Sequence, residues 1–303
     1  MYNFQLHSAG PKMLASILFL AALALLSQGA QLQKRQPLEN YTLVWSDEFD
    51  GKNGSSPDPS KWTYDIGGNG WGNHELEYYT NRRENARVQD GKLAITARKE
   101  PFIGRDGATF DYTSARLKTQ GLFSQAYGRF EARIKLPAGQ GIWPAFWMLG
   151  DNIASAGWPK CGEIDIMENV GKEPGINHGS LHAPSSTAAT SDRTATIALP
   201  AGQNLSDDFH VYAVEWEPAA VRFYLDANLY ATFSSVSWPP GGSWVFDHRF
   251  FLILNVAVGG DWPGPPDPVR LESAVRRGPA TTGRGRRLLA QPAGSAPGRR
   301  SPP

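Results

Sequence analysis

The chain has 303 residues, 41% of them hydrophobic and 11% aromatic, with 32 Gly, 23 Pro and 10 Trp. That is enough apolar material for one large domain with its own core, and the Gly, Pro and Trp content leans toward many strands and turns. The formal net charge of +1 hides a split: residues 268–303 hold eight Arg and one acid, whereas residues 1–267 hold 22 basic and 28 acidic residues, a net of −6, so no basic stripe marks the body for a nucleic-acid partner.

At the N-terminus Lys12 precedes an apolar run over 13–26, MLASILFLAALALL, followed by the small residues Ser27, Gly29 and Ala30. This is the layout of a cleaved signal peptide over residues 1–30. A membrane anchor is the competing reading, but it needs about 20 apolar residues, and this run has 14. The mature chain is therefore expected to be secreted and extracellular, without a membrane span. Residues 31–40 read as a short pro-segment or linker, in which Lys34-Arg35 is a dibasic processing site or a solvated charge pair. The sequons at Asn40, Asn53 and Asn204 suit a secreted glycoprotein. Cys161 is the only cysteine, so no internal disulfide can form and the core alone must hold the fold.

From residue 41 to 262 there is no linker-like break and no internal repeat. GKLAITARKE (91–100) alternates apolar and polar residues. In GRFEARIKLP, Phe130, Ala132, Ile134 and Leu136 face one way and Arg129, Glu131, Arg133 and Lys135 the other, which predicts a strand with one face on a core. In GIWPAFWML, Trp143 and Trp147 share one strand face, and Phe146 and Met148 share the other. VRFYLDANLYATF (221–233) reads as a hairpin turning through Asp226-Ala227-Asn228, with the second strand resuming at Leu229, and FFLILNVAV (250–258) as a buried strand stopped by Gly259-Gly260. Many short strands with Gly and Pro turns predict an all-β, antiparallel β-sandwich.

GEIDIMENVG (162–171) sets Glu163, Asp165 and Glu168 among apolar residues. Period-two alternation puts Glu163 and Asp165 on one face, with Ile164 and Ile166 on the core side, but turns Glu168 away. One extra residue, a β-bulge near Met167, returns Glu168 to the acidic face. Three crowded carboxylates repel one another and retain at least one proton near neutral pH. A protonated acid beside an ionised one is what glycoside hydrolysis needs. A hard-cation site and an ordinary solvated strand face are the alternatives, and the nearby Trp143, Trp147 and Trp158 argue against both, because aromatic faces stack on sugar rings. Those tryptophans could equally be core. Cys161 reads as a small packing residue on the Glu163 face.

These motifs carry a family resemblance. GEIDIMENVG, preceded by YGRFEARIKLPAGQGIWPAFWMLG and followed by HGSLHAP and LILNVAVGGDWPG, resembles glycoside hydrolase family 16, and within it the laminarinase-type endo-β-1,3-glucanases with the bulged Glu-x-Asp-x-x-Glu signature. The resemblance implies a concanavalin A-like jelly roll with an open substrate cleft on its concave sheet, spanning a catalytic domain over residues 41–267. It implies a retaining endo-hydrolase of β-1,3-glucan or mixed β-1,3/1,4-glucan, in which Glu163 is the nucleophile, Glu168 the general acid and base, and Asp165 tunes their protonation. A cell-wall transglycosylase using the same glutamates and a non-catalytic β-glucan recognition protein are the alternatives; binders of this family have lost the acids that this chain keeps. Glu131 and Arg133 match positions that hydrogen-bond sugars in relatives, their bland alternative being a cross-strand ion pair. His182 in GSLHAP and Trp262 in GGDWPG are further substrate-binding candidates, and for His182 a purely structural role stays open. No cofactor or catalytic metal is expected, although some relatives carry a structural calcium. The expected partner is the polysaccharide alone, and the expected state is a monomer.

After Asp267 the family pattern continues into a last strand that this sequence does not spell. Residues 268–303 are rich in Arg, Pro, Gly and Ala with no aromatic residue, which predicts a disordered tail and a missing strand.

Overall fold

The apolar runs become strands that differ in how many of their faces they bury. Phe250–Val258, apolar at all but one position, is buried along its whole length and lies inside a seven-stranded antiparallel sheet. Across that sheet the order is Ser191–Ala198, Ile176–Ala183, Glu163–Glu168, Ile142–Gly150, Phe250–Val258, Arg116–Lys118 and Thr63–Asp65. A second sheet runs Asn228–Ser234, Ala220–Leu225, His210–Glu217, Gly128–Lys135, Ala280–Thr282, Leu93–Ile95 and Ala86–Val88. Glu77–Tyr79, Thr109–Ser114 and Arg98–Ile103 form a small third sheet. The protein is a computed structural model that describes residues 41–267, 280–282 and 289–292.

The core lies between the two large sheets. Phe130, Ala132 and Ile134 come from one, and Phe146, Met148 and Ile164 from the other, as the alternation predicts, joined by Leu252, Leu254 and Val256 from the continuously apolar strand. Trp216 spans the gap, its ring 5.1 Å from that of Phe250 and its indole N–H donating to the Phe246 carbonyl at 3.0 Å. This is an all-β sandwich. Among the described residues the α-helix is one turn, Ile153–Ala156. The predicted hairpin forms between Ala220–Leu225 and Asn228–Ser234, with a turn one residue shorter than expected because Asn228 already pairs with Leu225.

The acidic strand carries the bulge. On one side Asp165 pairs with Ser180 and Glu168 with His178; on the other Trp147 pairs with Asp165 and Phe146 with Met167. Both ladders skip one residue within Asp165–Glu168, and Ile166 and Met167, though consecutive, are both buried in the core. Glu168 therefore returns to the face of Glu163.

Residues 1–40, with the signal and pro-segment readings, lie outside the described residues, as does most of the 268–303 tail. The described parts of that tail are strands: Ala280–Thr282 pairs with Leu93–Ile95 and Gly128–Lys135, and Leu289–Pro292 with Tyr41–Trp45 and Gly128–Lys135. An open sheet edge accepts extended backbone whatever its side chains. No helix among the described residues is long and apolar enough to cross a membrane.

The far end of the acidic strand is fixed where Gly171 donates its N–H to the Ile142 carbonyl at 2.9 Å. A methyl at Gly171 would overlap the Gly139 carbonyl oxygen, which is backbone and cannot swing aside. Gly171→Ala is expected to lower stability by about 1–3 kcal/mol, read as a reduced midpoint in urea denaturation with an unchanged slope.

Candidate active site

The outward face of the seven-stranded sheet forms one cleft of about 730 Å³. It crosses the strands rather than following one: Asp192, His182, the three acids, Trp147, Asn255 and Arg116 lie on successive strands along it. Loops close its sides with Trp71, Trp158 and Trp262.

Each glutamate is held by an indole. Trp158 Nε1 donates to Glu163 Oε2 at 2.6 Å, and Trp143 Nε1 donates to Glu168 Oε1 at 3.0 Å. Trp143 stands edge-on to Trp262 with ring centroids 5.3 Å apart, and Trp262 stands edge-on to His178 at 4.8 Å. Trp147 donates to Asn255 Oδ1 at 2.7 Å. The four tryptophans singled out in the sequence thus line the cleft with the three carboxyls, and Trp158 remains 54% exposed.

His182 joins the site. Its Nε2 lies 3.0 Å from Asp165 Oδ2 and its Nδ1 2.8 Å from Asp192 Oδ1. Thr190 Oγ1 donates to Asp192 Oδ2 at 2.6 Å. Burial opposes charge on the imidazole, but the bond to Asp165, the charges of Asp165 and Glu163 and the bond to Asp192 outweigh it and push its pKa up to about 11. These carboxylate partners favour the imidazolium form of His182. All three acids are pushed upward: Glu163 by burial and then the Asp165 charge, to about 8; Asp165 by burial and then the Glu168 charge, to about 6; and Glu168 by burial and then the Glu163 charge, to about 7, so in the free site the shared proton favours Glu163 over Glu168 and must sit on Glu168 when substrate is attacked. The carboxyls titrate as one group sharing protons, which is the electrostatic condition the crowded sequence predicts.

Glu163, Asp165 and His182 offer three atoms within 4.8 Å of one another, a spacing a metal ion could use. Both His182 nitrogens are already directed at carboxylates, Nε2 at Asp165 and Nδ1 at Asp192, which leaves neither turned toward a site shared with Glu163.

Two sequence expectations are corrected. Glu131 and Arg133 belong to Gly128–Lys135, a strand of the opposite sheet, and their side of that strand faces away from the shared core, so neither reaches the cleft. Glu131 is instead paired with Arg129 at 2.9 Å, and Arg129 in turn with Glu215 at 2.9 Å, while the Arg133 guanidinium lies 4.2 Å from the centre of the Phe209 ring. Alternation identified the polar face of this strand but not the sheet it joins. Cys161 packs with Leu149, Phe251 and Ile253, and burial, then the Glu163 charge, pushes its thiol up to about 11, so it is an inert filler beneath the cleft.

Several cleft residues escaped the sequence reading. Asn255 is the one polar residue of FFLILNVAV, and that oddity was its signal. His178 and Ser180 share the parity of His182 in INHGSLHA. Arg116, stacked over both Trp71 and Trp147 at 4.9 and 4.6 Å and ion-paired with Asp65, sits in a stretch whose pattern gives no hint of it.

Residues 73–269 match the model of the Glycosyl hydrolases family 16. A Beta-glucanase of Rhodothermus marinus is 49% identical over 236 residues, covering 74% of this chain and 78% of that protein. A Glucan endo-1,3-beta-glucosidase of Cryptopygus antarcticus is 40% identical, covering 75% of this chain and 85% of that one. Among solved structures, the laminarinase catalytic domain of Thermotoga maritima MSB8 superposes with a TM-score of 0.70 at 49% identity, over 76% of this chain and 92% of its own.

The His182 charge lowers the pKa of each of the three acids. Its removal in His182→Gln is therefore expected to move the carboxyl titration of the group to higher pH, as followed by carbon-13 NMR of labelled Asp and Glu side chains.

Proposed function

This chain belongs to the Glycosyl hydrolases family 16, and from that premise we propose that it cleaves internal β-1,3 linkages of glucan, and those of mixed β-1,3/1,4-glucan, with retention of configuration. The observation that carries this reading is the bulge at Ile166–Met167, which sets Glu163 and Glu168 on one face of one strand, inside one cleft. Retention calls for two carboxyl groups about 5–5.5 Å apart, one to attack and one to donate a proton.

Glu163 is the nucleophile. Its carboxylate attacks the anomeric carbon while Glu168 passes its proton to the departing glycosidic oxygen, leaving a glycosyl ester on Glu163. The Trp143 indole occupies Oε1 of Glu168 and leaves Oε2 for that transfer. Forming the ester removes the Glu163 charge, which is what holds the Glu168 pKa up beyond the effect of burial. Glu168 is then left as a stable carboxylate, suited to take a proton from the water that hydrolyses the ester. The His182 imidazolium supports the negative charge of Asp165 beside the nucleophile throughout.

The retained acids speak against a purely glucan-binding role. Transfer to a sugar hydroxyl instead of water uses the same groups, and product analysis with a labelled oligosaccharide acceptor separates the two. We propose in addition that the chain is exported, on the strength of the apolar run over 13–26 after Lys12; N-terminal sequencing of protein recovered from the medium should begin near residue 31.

Glu163→Gln is expected to abolish turnover of laminarin while leaving binding intact. Glu168→Ala is expected to cost about 10²–10⁴ in kcat on natural substrate, far less on substrates with good leaving groups, and added azide should restore rate with a β-glycosyl azide as product. An α-azide would mean inversion and overturn these roles.

A further inference from the structure

Glu77, at the start of the strand Glu77–Tyr79, is a fully buried carboxyl. Its Oε2 accepts the Val258 N–H at 2.6 Å, but its Oε1 meets no hydrogen-bond donor among the described residues. The side chain within hydrogen-bonding reach of it is a second acceptor, the Glu75 carboxyl. Glu75 is already well supplied: its Oε2 accepts the Tyr79 hydroxyl at 3.1 Å and its Oε1 accepts Asn73 Nδ2 at 3.2 Å. Tyr79 has one hydroxyl proton and gives it to Glu75, so it has none for Glu77.

The backbone keeps the two carboxyls from parting. The Leu76 N–H donates to the Val258 carbonyl at 2.8 Å and the Asp261 N–H to the Asn73 carbonyl at 2.9 Å, so the chain is clamped on both sides of Glu75. Two facing carboxylates, one of them buried and short of a donor, repel; one proton between them turns the repulsion into a hydrogen bond. That proton belongs on Glu77. Glu75 borders the cleft and takes two donors, which favours its charge, whereas Glu77 is sealed from water. Burial, then the Glu75 charge, push the Glu77 pKa well up. The other ionisable groups around the pair are Tyr79 on the same strand, Tyr112 opposite Glu77 on the neighbouring strand, Arg116 in the cleft and the exposed His74–Asp261 pair. The pair also leads into the cleft floor. Trp147 Nε1 donates to Asn255 Oδ1 at 2.7 Å and Asn255 Nδ2 to the Tyr79 hydroxyl at 3.1 Å, so the donors from Trp147 onward all run toward Glu75.

We propose that Glu77 carries a proton at neutral pH and donates it to Glu75, as a positioning residue that fixes a carboxylate in the cleft wall and, through Tyr79 and Asn255, the Trp147 indole. The effect of the pair on turnover rests on the β-1,3-glucan reading above; the proton itself does not.

Infrared difference spectra of the parent against Glu77→Gln need no substrate. The carbonyl stretch of a neutral carboxyl is expected in the parent at neutral pH and missing from the variant; loss of carboxylate bands alone overturns the proposal. On laminarin, Glu77→Met is expected to raise KM roughly tenfold, the loss of one hydrogen bond to a charged group, with kcat nearly kept. Glu77→Gln, whose amide donates to Glu75 as the acid does, should restore most of that loss, and a Gln variant no better than the Met variant overturns the proposal. A neutral acid with a raised pKa gives its support below that pKa and loses it as pH rises through it. Titration calorimetry of a laminari-oligosaccharide into Glu163→Gln should therefore show affinity falling at alkaline pH, and adding Glu77→Gln should remove the fall; an equal fall in both overturns the proposal. If Glu77→Met does not fold, the infrared and calorimetric results decide. A parent that cleaves no β-1,3-glucan overturns the substrate reading, and the infrared spectrum alone then decides the proton.

Discussion

The site depends on a demand made by the core. Ile164, Ile166 and Met167 are all buried between the sheets, although a regular strand would turn Met167 outward. Satisfying both Ile166 and Met167 requires an extra residue in the ladder, and that residue rotates everything after it by one step. Glu168 faces the cleft because its two predecessors face the core. Hydrophobic burial of this kind is worth on the order of 1.5–3 kcal/mol per large side chain, enough to hold a kink that the ladder alone would not form.

That kink creates an electrostatic difficulty that the neighbouring strand relieves. Three carboxyls crowd a half-buried face, and Ile176–Ala183 supplies one imidazolium against them. Asp192, one strand further out, secures the outer nitrogen of His182, so the compensating charge is itself held from behind. The indoles of Trp158 and Trp143 add directed donors, one for each glutamate. Charge, hydrogen-bond donors and aromatic surface thus come from neighbouring parts of the same face, which is why the cleft crosses the strands.

What the sequence disclosed follows from how local each feature is. Alternation in GRFEARIK and the unbroken apolar run of FFLILNVAV are local, and both strands form where they were expected. The bulge was legible because Glu168 breaks a period that its neighbours keep. Partnership between distant segments was not legible. Nothing in GRFEARIK says which sheet it joins, so Glu131 and Arg133 were assigned to the cleft when they lie on the opposite sheet. Arg116 failed in the other direction: its role comes from stacking on Trp71 and Trp147, contacts that exist only once three separate segments meet.

Cys161 has a use outside catalysis. As the sole sulfhydryl of the molecule, sealed beneath the cleft and held in its unreactive protonated form, it is silent toward alkylating dyes while the sheet stays closed. Any labelling then counts openings of the acidic strand's own neighbourhood. The protein carries a built-in clock for local breathing at the place where its chemistry is organised.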